Sequence, residues 1–196
     1  MTQPLILAST SPYKKMLLER LQLEFSCRSP QVDETPHNGE HPSAMAQRLA
    51  EQKALAVATK FPNALVIGAD QVADLNGKTL GKPGNHQRAV AQLRAQSGQK
   101  MKFHCAISVV QQLSNGKILK QTRVNTTEVQ FRTLNQQQID NYLHSDQPYD
   151  CAGSFKVEAL GISLFSSVNS NDPSSLIGLP LIDLCSILAD YGVDIH

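Results

Sequence analysis

Apolar positions along the chain alternate between short unbroken runs and helical spacings, and that alternation predicts an α/β fold. Leu5-Ile6-Leu7-Ala8 is a short continuous run, as in a strand buried on both faces. Ser11 then offers an N-cap, and Pro12 suits the first helical position because its missing N–H would have no partner there. Tyr13, Met16, Leu17 and Leu21 follow at helical spacing, which predicts a packed face with Lys14, Lys15 and Glu19 exposed. A second helix is expected from 43 to about 60, and residues 65–70 read as another buried strand. Asn76-Gly77 signals a two-residue hairpin turn, pairing Leu75 with Lys78, Asp74 with Thr79 and, further along, Gln71 with Lys82.

Residues 87–96 suit a helix, and 100–112 with 117–131 suit two long strands joined at Asn115-Gly116. Asn135 and Gln138 form a capping-box pattern for a helix reaching about 143. Asp172-Pro173 opens a short helical turn, and 181–191 reads as the closing helix. The expected fold is α/β, a mixed β-sheet with flanking helices and one long β-hairpin ribbon.

Composition narrows the class. The 196 residues can bury one sizeable core and are few for two, so a single domain over 1–196 is expected. Eighteen basic residues against seventeen acidic leave a net charge of +1, which offers no footprint for nucleic acid or an anionic membrane. Residues 1–8 are too short for a signal h-region, and no apolar stretch approaches a membrane span. Cys27, Cys105, Cys151 and Cys185 form no CxxC pair and read as reduced thiols of a cytoplasmic protein.

Candidate chemistry gathers at strand ends. After the first strand, Ser9, Ser11 and Lys14 surround a helix N-terminus, where free N–H groups and the dipole favour an anion. An ordinary serine cap followed by solvated lysines would read the same way. Asp70 ends a buried strand, where α/β sheets collect ligands, although a turn-forming aspartate also fits. The hairpin register returns Lys82 to within one residue of Asp70, but strict pleating puts the two on opposite faces unless a bulge intervenes. Lys53 shares a helical stripe with Leu49 and Val57, so it either borders the buried face or snorkels to solvent. Asp33-Glu34 lies between Pro30 and Pro36 and could join Asp70 in holding Mg²⁺, or form a solvated acidic turn. No histidine has metal-ligand spacing with a cysteine or another histidine, and no GxSxG, GxxxxGK[ST] or GxGxxG motif occurs.

In order along the chain, Leu5-Ile6-Leu7-Ala8-Ser9-Thr10-Ser11-Pro12, Val32-Asp33-Glu34, Ile67-Gly68-Ala69-Asp70-Gln71, Gly81-Lys82-Pro83 and Gly178-Leu179-Pro180 resemble the Maf family of nucleotide pyrophosphatases. Tyr13, Gln71 and the Glu158 of Cys151-Ala152-Gly153-Ser154-Phe155-Lys156-Val157-Glu158 resemble the branch that hydrolyses 7-methyl-GTP. The resemblance implies a Maf/ITPase-like fold, a small-molecule nucleoside triphosphate as partner, and water attack on the α-phosphorus with release of pyrophosphate. It also implies Asp70 as general base, Glu34 and Asp70 as ligands of Mg²⁺ or Mn²⁺, and Ser9, Ser11, Lys14, Lys53 and Lys82 as phosphate-binding groups.

The chemistry of the three branch-marking residues agrees. Methylation at N7 makes guanine cationic, which an aromatic face attracts, and a carboxylate can accept two hydrogen bonds from the guanine N–H edge. Tyr13 could equally be a core residue of its helix. The chain departs from the family at Lys14-Lys15, where paired arginines are usual, and at Ala159-Leu160-Gly161, where glycine is expected earlier. Two other readings fit the same residues: a pyrophosphatase for a deaminated purine or a pyrimidine, and a non-catalytic nucleotide-binding regulator of cell division. A homodimer is compatible with the chain, and nothing in it demands one.

Overall fold

The computed structural model describes residues 3–195. Among them, five α-helices flank a seven-stranded mixed sheet. β1 (Leu5–Leu7) is buried throughout and leads into α1 (Pro12–Glu19), whose N-cap Ser11 accepts the Lys14 N–H at 3.5 Å. The core face of α1 is Leu17 and Leu18, whereas Met16 is 40% exposed, contrary to the helical stripe read from sequence. Lys14 differs too: it is half-buried and lines a cleft together with Tyr13. The first turn of α1 therefore borders that cleft, and only its second turn reaches the core.

β2 (Ser26–Cys27) pairs parallel with β1, and α2 (Pro42–Ala58) follows, capped by His41. β3 (Leu65–Leu75) is the axis of the sheet. One edge pairs antiparallel with β5 (Lys100–Gln112), from Leu65 opposite Gln111 to Asp74 opposite Lys102. The other edge is shared. β1 runs parallel to Leu65, Val66 and Ile67, while β4 (Lys78–Leu80) runs antiparallel to Ala73, Asp74 and Leu75. Residues 68–72 of that edge lie between the two ladders.

Asn76 and Gly77 have φ of 54° and 82°, the left-handed pair a two-residue hairpin turn requires. The expected register holds for Leu75 with Lys78 and for Asp74 with Thr79. It does not continue to Gln71 and Lys82, because the ladder stops at Leu80 and Pro83 has no N–H to extend it. No bulge is needed, since Lys82 sits in a loop beyond the strand.

β5 and β6 (Ile118–Phe131) make the long ribbon, turning where Gly116 has φ of 82°. β7 (Phe165–Asn169) adds an edge strand that its serine-rich pattern did not announce. α3 (His86–Gln96), α4 (Gln136–Asp146, with the capping box of Asn135 and Gln138) and α5 (Leu181–Asp190) complete the helices.

Leu17 and Leu18 of α1 and Leu184, Ile187 and Leu188 of α5 cover one sheet face, against Leu5, Leu7, Leu65, Ile67 and Ile107. Ala54, Val57 and Ala58 of α2 cover the other, against Ile6, Val66 and Val110. Burial of each large aliphatic side chain contributes about 1.5–3 kcal/mol before entropy is counted. The approach of α2 to β3 is very close at Gly68: an added Cβ would lie 2.6 Å from the Ala54 backbone nitrogen and nearer still to the Ala50 carbonyl oxygen. Glycine here sets the spacing between the helix and β3. Asp70 does not end that strand, as residues 65–70 suggested: β3 continues to Leu75 because its other edge stays paired with β5 through Asp74, and Asp70 lies mid-strand where the β1 ladder has stopped.

Candidate active site

The break between the β1 and β4 ladders is where the cleft opens. The chain leaving β1 forms the Ser9–Ser11 loop, and the chain leaving β4 forms Gly81-Lys82-Pro83, so both loops flank Asp70. The cavity measures about 650 Å³. It brings together all ten residues singled out from the sequence. Ser9, Ser11, Lys14, Lys53 and Lys82 line it with Glu34 and Asp70, and so do Tyr13, Gln71 and Glu158.

Asp70 projects from β3 toward α2 and is 8% exposed, as is Lys53. Lys53 donates to Asp70 Oδ1 at 2.6 Å and reaches Glu34 Oε1 at 2.7 Å. Snorkelling, the ordinary fate of such a lysine, is therefore not what happens: one ammonium bridges two carboxylates from different segments. Burial would lower the Lys53 pKa, but the charge of Asp70 and hydrogen bonds to Asp70 and Glu34 hold it above the usual lysine value. Burial pushes Asp70 above the ordinary carboxylate range, opposed by Lys53 and Lys14. A raised carboxyl pKa makes a stronger base.

The loop that carries Glu34 is tied down locally. Asp33 accepts from both the backbone N–H and the hydroxyl of Thr35, so it shapes the turn. Arg48 of α2 grips Glu40 through two hydrogen bonds, at 2.6 and 2.7 Å, and donates to the Thr35 carbonyl. Glu34 is thus presented beside Lys53 by its neighbours on both sides.

Lys14 runs over Gly178, whose missing Cβ would stand 3.6 Å from Nζ. Burial lowers the Lys14 pKa, and the charges of Lys53 and Lys82 lower it further against the pull of Asp70. Ser9 Oγ accepts the Ser11 N–H at 3.1 Å and Ser11 Oγ accepts the Lys14 N–H. Each hydroxyl keeps its own proton to donate to a ligand oxygen.

The remaining cleft residues differ in character. Tyr13 is half-buried, and burial raises its hydroxyl pKa, with Cys151, Asp150 and Glu158 contributing. It is a wall residue, and the reading of Tyr13 as core packing does not hold. Gln71 Nε2 donates to the Ser175 and Leu176 carbonyls at 2.8 and 2.9 Å. Both partners are acceptors only, so the amide orientation is decided and Oε1 is the atom left to receive a hydrogen bond. Glu158 sits in a turn closed by the Gly161 N–H on the Lys156 carbonyl at 3.0 Å. A Cβ at Gly161 would collide with that same Lys156 carbonyl, which explains why glycine falls at this position.

A profile described as Maf-like protein matches residues 4–191. The chain belongs to the Maf family. Among Maf relatives, the 7-methyl-GTP pyrophosphatase of a Polaromonas species is 53% identical over 98% of this chain and 86% of its own length. That of Xanthomonas oryzae pv. oryzae is also 53% identical, over 96% of each chain. Among solved structures, the Ham1 protein of Staphylococcus aureus has a TM-score of 0.44 at 16% identity, covering 81% of this chain and 90% of that one.

Sequence reasoning missed several cleft residues. Cys151 and Asp150 adjoin Tyr13, and burial with the nearby Asp150 charge pushes the Cys151 thiol up to about 12. The Ser175 and Leu176 carbonyls that orient Gln71 are main-chain atoms without a side-chain signature. No group of three or more His, Cys, Asp or Glu side chains is assembled for a metal among the described residues. Glu34 with Asp70 offers two hard carboxylates around a single cationic seat. Mg²⁺ is commonly held by one or two carboxylates, with waters and substrate phosphates completing the shell, so these residues fit it or Mn²⁺.

Proposed function

We propose that the protein is a nucleoside triphosphate pyrophosphatase that hydrolyses 7-methyl-GTP to 7-methyl-GMP and diphosphate, removing a modified nucleotide from the pool. The observation that carries this reading is the grouping of side chains in one cleft: Lys14, Lys53 and Lys82 gather with the Glu34–Asp70 pair, Tyr13 lies within electrostatic reach of Glu158, and Gln71 lines the same cavity. The lysine group matches a triphosphate. Tyr13 and Glu158 offer an aromatic face and a carboxylate to a cationic purine, with Gln71 Oε1 as a further acceptor for its N–H edge. The names of the relatives support the same substrate.

In this reading, Lys14, Lys53 and Lys82 bind the triphosphate, while the Ser9 and Ser11 hydroxyls donate to phosphate oxygens. Gln71, which would read the base, and Asp70, which would act on water, both line the cleft from β3. Attack at the phosphorus nearest the nucleoside is what the family resemblance implies. Lys53 donates to Oδ1 of Asp70, and the Asp70 oxygen engaged by neither Lys53 nor a cation would take the proton of the attacking water. As the bond from the α-phosphorus to its bridging oxygen breaks, the electron pair leaves with pyrophosphate, and the lysines stabilise that charge. Glu34 and Asp70 would hold Mg²⁺ or Mn²⁺, which supplies charge neutralisation at the phosphate oxygens when bound.

No helix among the described residues is long and apolar enough to cross a membrane. Four free cysteines suit a reducing compartment, and a cytoplasmic enzyme acting as one catalytic domain on the nucleotide pool fits them. The test is pyrophosphate release from 7-methyl-GTP, ITP, GTP, dTTP and UTP with Mg²⁺ and with Mn²⁺, for wild type and Asp70→Asn. The expected result is a preference for 7-methyl-GTP and a loss of at least ~100-fold in the variant, the low end for removing a general base. Preference for UTP or dTTP would overturn the substrate, and near-normal turnover by Asp70→Asn would overturn the mechanism. Nucleotide binding with no product would favour a regulator.

A further inference from the structure

Lys82 and Glu158 sit on different segments of the cleft, and one side chain outside the cleft wall touches both segments. Gln92, half-buried on α3, donates from Nε2 to the Gly81 carbonyl at 3.1 Å, immediately before Lys82. Its Oε1 accepts the hydroxyl of Ser154 at 2.5 Å, inside the segment that runs from Cys151 to Glu158. Gly81 offers only a carbonyl and Ser154 a hydroxyl, so the amide can satisfy both in one orientation.

The Ser154 end of this bridge is a constrained point. Ser154 is fully buried with φ of 62°, and it follows Gly153 at 76°, so a non-glycine residue is held in the left-handed region. One turn further along α3, Gln96 donates to the Gly153 carbonyl at 2.9 Å. Beside these two segments, the Gly84 N–H also donates to the Tyr149 carbonyl at 2.9 Å. The turn that presents Glu158 and the loop that presents Lys82 are therefore both referenced to α3, and the Gln92 carboxamide is a side-chain link common to both.

We propose that Gln92 is a positioning residue that couples base recognition at Glu158 to triphosphate binding at Lys82. The inference rests on the nucleotide pyrophosphatase reading above and adds a residue to it. When the base engages Glu158, the turn through Ser154 is held in place, and Gln92 passes that constraint to Gly81 and hence to Lys82. Discrimination between bases then appears in turnover as well as in KM.

A double-mutant cycle tests this. kcat and KM for 7-methyl-GTP are measured for Lys82→Met, Glu158→Gln and the double variant, in wild type and again in Gln92→Met. Methionine keeps the side-chain length and removes both hydrogen bonds. In wild type the double variant should depart from the product of the single effects by about 10-fold, a coupling of about 1.4 kcal/mol. In Gln92→Met the departure should fall to within about 2-fold, with the preference for 7-methyl-GTP over GTP reduced. Should Gln92→Met fold poorly, Gln92→Glu keeps the acceptor for Ser154, loses the donor to Gly81, and should abolish the coupling equally. Additive effects in wild type, or coupling that survives both Gln92 variants, would overturn the inference while leaving the enzyme reading intact. Absence of 7-methyl-GTP turnover in wild type would overturn both.

Discussion

Replacing Gly68 by alanine asks how far catalysis depends on the seating of α2. The added Cβ would stand 2.6 Å from the Ala54 nitrogen, where real contacts stay above about 3.0 Å, and closer still to the Ala50 carbonyl oxygen. Both obstacles are backbone atoms, so no side-chain rotation relieves them, and the helix must lift by several tenths of an ångström or more. Overpacking of this kind costs about 1–3 kcal/mol, which for a chain of this size lowers Tm by roughly 2–12 °C. The functional cost should be larger than the stability cost. Lys53 lies one helical turn beyond Ala50, and its 2.6 Å bond to Asp70 leaves no slack. Misplacement by about 1 Å can cost on the order of 100-fold in rate. The expected result is a folded protein whose kcat falls about 100-fold at a temperature well below its Tm. Thermal melts followed by differential scanning fluorimetry, together with pyrophosphate release at 20 °C, make the comparison. Gly68→Ala with wild-type Tm and turnover within 2-fold would refute the close approach as the device that sets Lys53 against Asp70.

Three further outcomes follow from the same geometry. Lys53→Met removes the ammonium from between Glu34 and Asp70, so Mn²⁺ binding by the nucleotide-free protein, read from electron paramagnetic resonance, should tighten about 10-fold, or about 1.4 kcal/mol; unchanged or weaker binding would show that the two carboxylates are not the metal seat. The hydrogen bonds from Arg48 hold the Glu40 carboxyl down to about 2 from its ordinary 4.5. Its contribution is complete above pH 4.5, where the unfolded chain has already lost the proton, and drains away as pH falls toward 2, because the unfolded state takes up the proton first. The Tm gap between wild type and Glu40→Gln should therefore be constant above about pH 5.5 and close below 4.5, and parallel curves down to pH 2.5 would contradict the clamp. Tyr13→Leu should raise KM for 7-methyl-GTP by about 2- to 30-fold, the range of about 0.5–2 kcal/mol for a cation–π contact, with less effect on uncharged GTP; equal effects on both nucleotides would remove the ring from base recognition.

Much of the site was legible because short motifs in this chain stand for backbone events. Pro12 after Ser11 marked the helix start, Asn76-Gly77 marked the hairpin, and each landed within a residue of its place. What periodicity could not convey was which way the first turn of α1 faces. Leu17 and Leu18 are adjacent, and a helical stripe through Met16 is indistinguishable from one through Leu18 until the sheet is present. β7 was hidden for a related reason, since Phe165-Ser166-Ser167-Val168-Asn169 buries only Phe165. Cys151 and Gln92 were missed because the contacts of Cys151 with Tyr13 and of Gln92 with Ser154 join residues far apart in sequence, which no local pattern records.

The distribution of charge explains how a chain with net charge +1 can serve a polyanionic ligand. A uniformly basic surface would bind phosphates everywhere and discriminate poorly. Here Lys14, Lys53 and Lys82 converge in the cleft, where Glu34 and Asp70 offset two of their three charges. The surplus of a single positive charge is small beside the several negative charges of a triphosphate, so the lysines alone leave it under-compensated. A divalent cation arriving with the nucleotide would make up the difference, and in the proposed reading its ligands would be Glu34 and Asp70, which Lys53 bridges. Displacing Lys53 from Glu34 and Asp70 would free its ammonium for the phosphates at the moment the carboxylates acquire another partner. The same residues can thus offset one another's charge across the cleft and each take a new partner when a charged ligand binds.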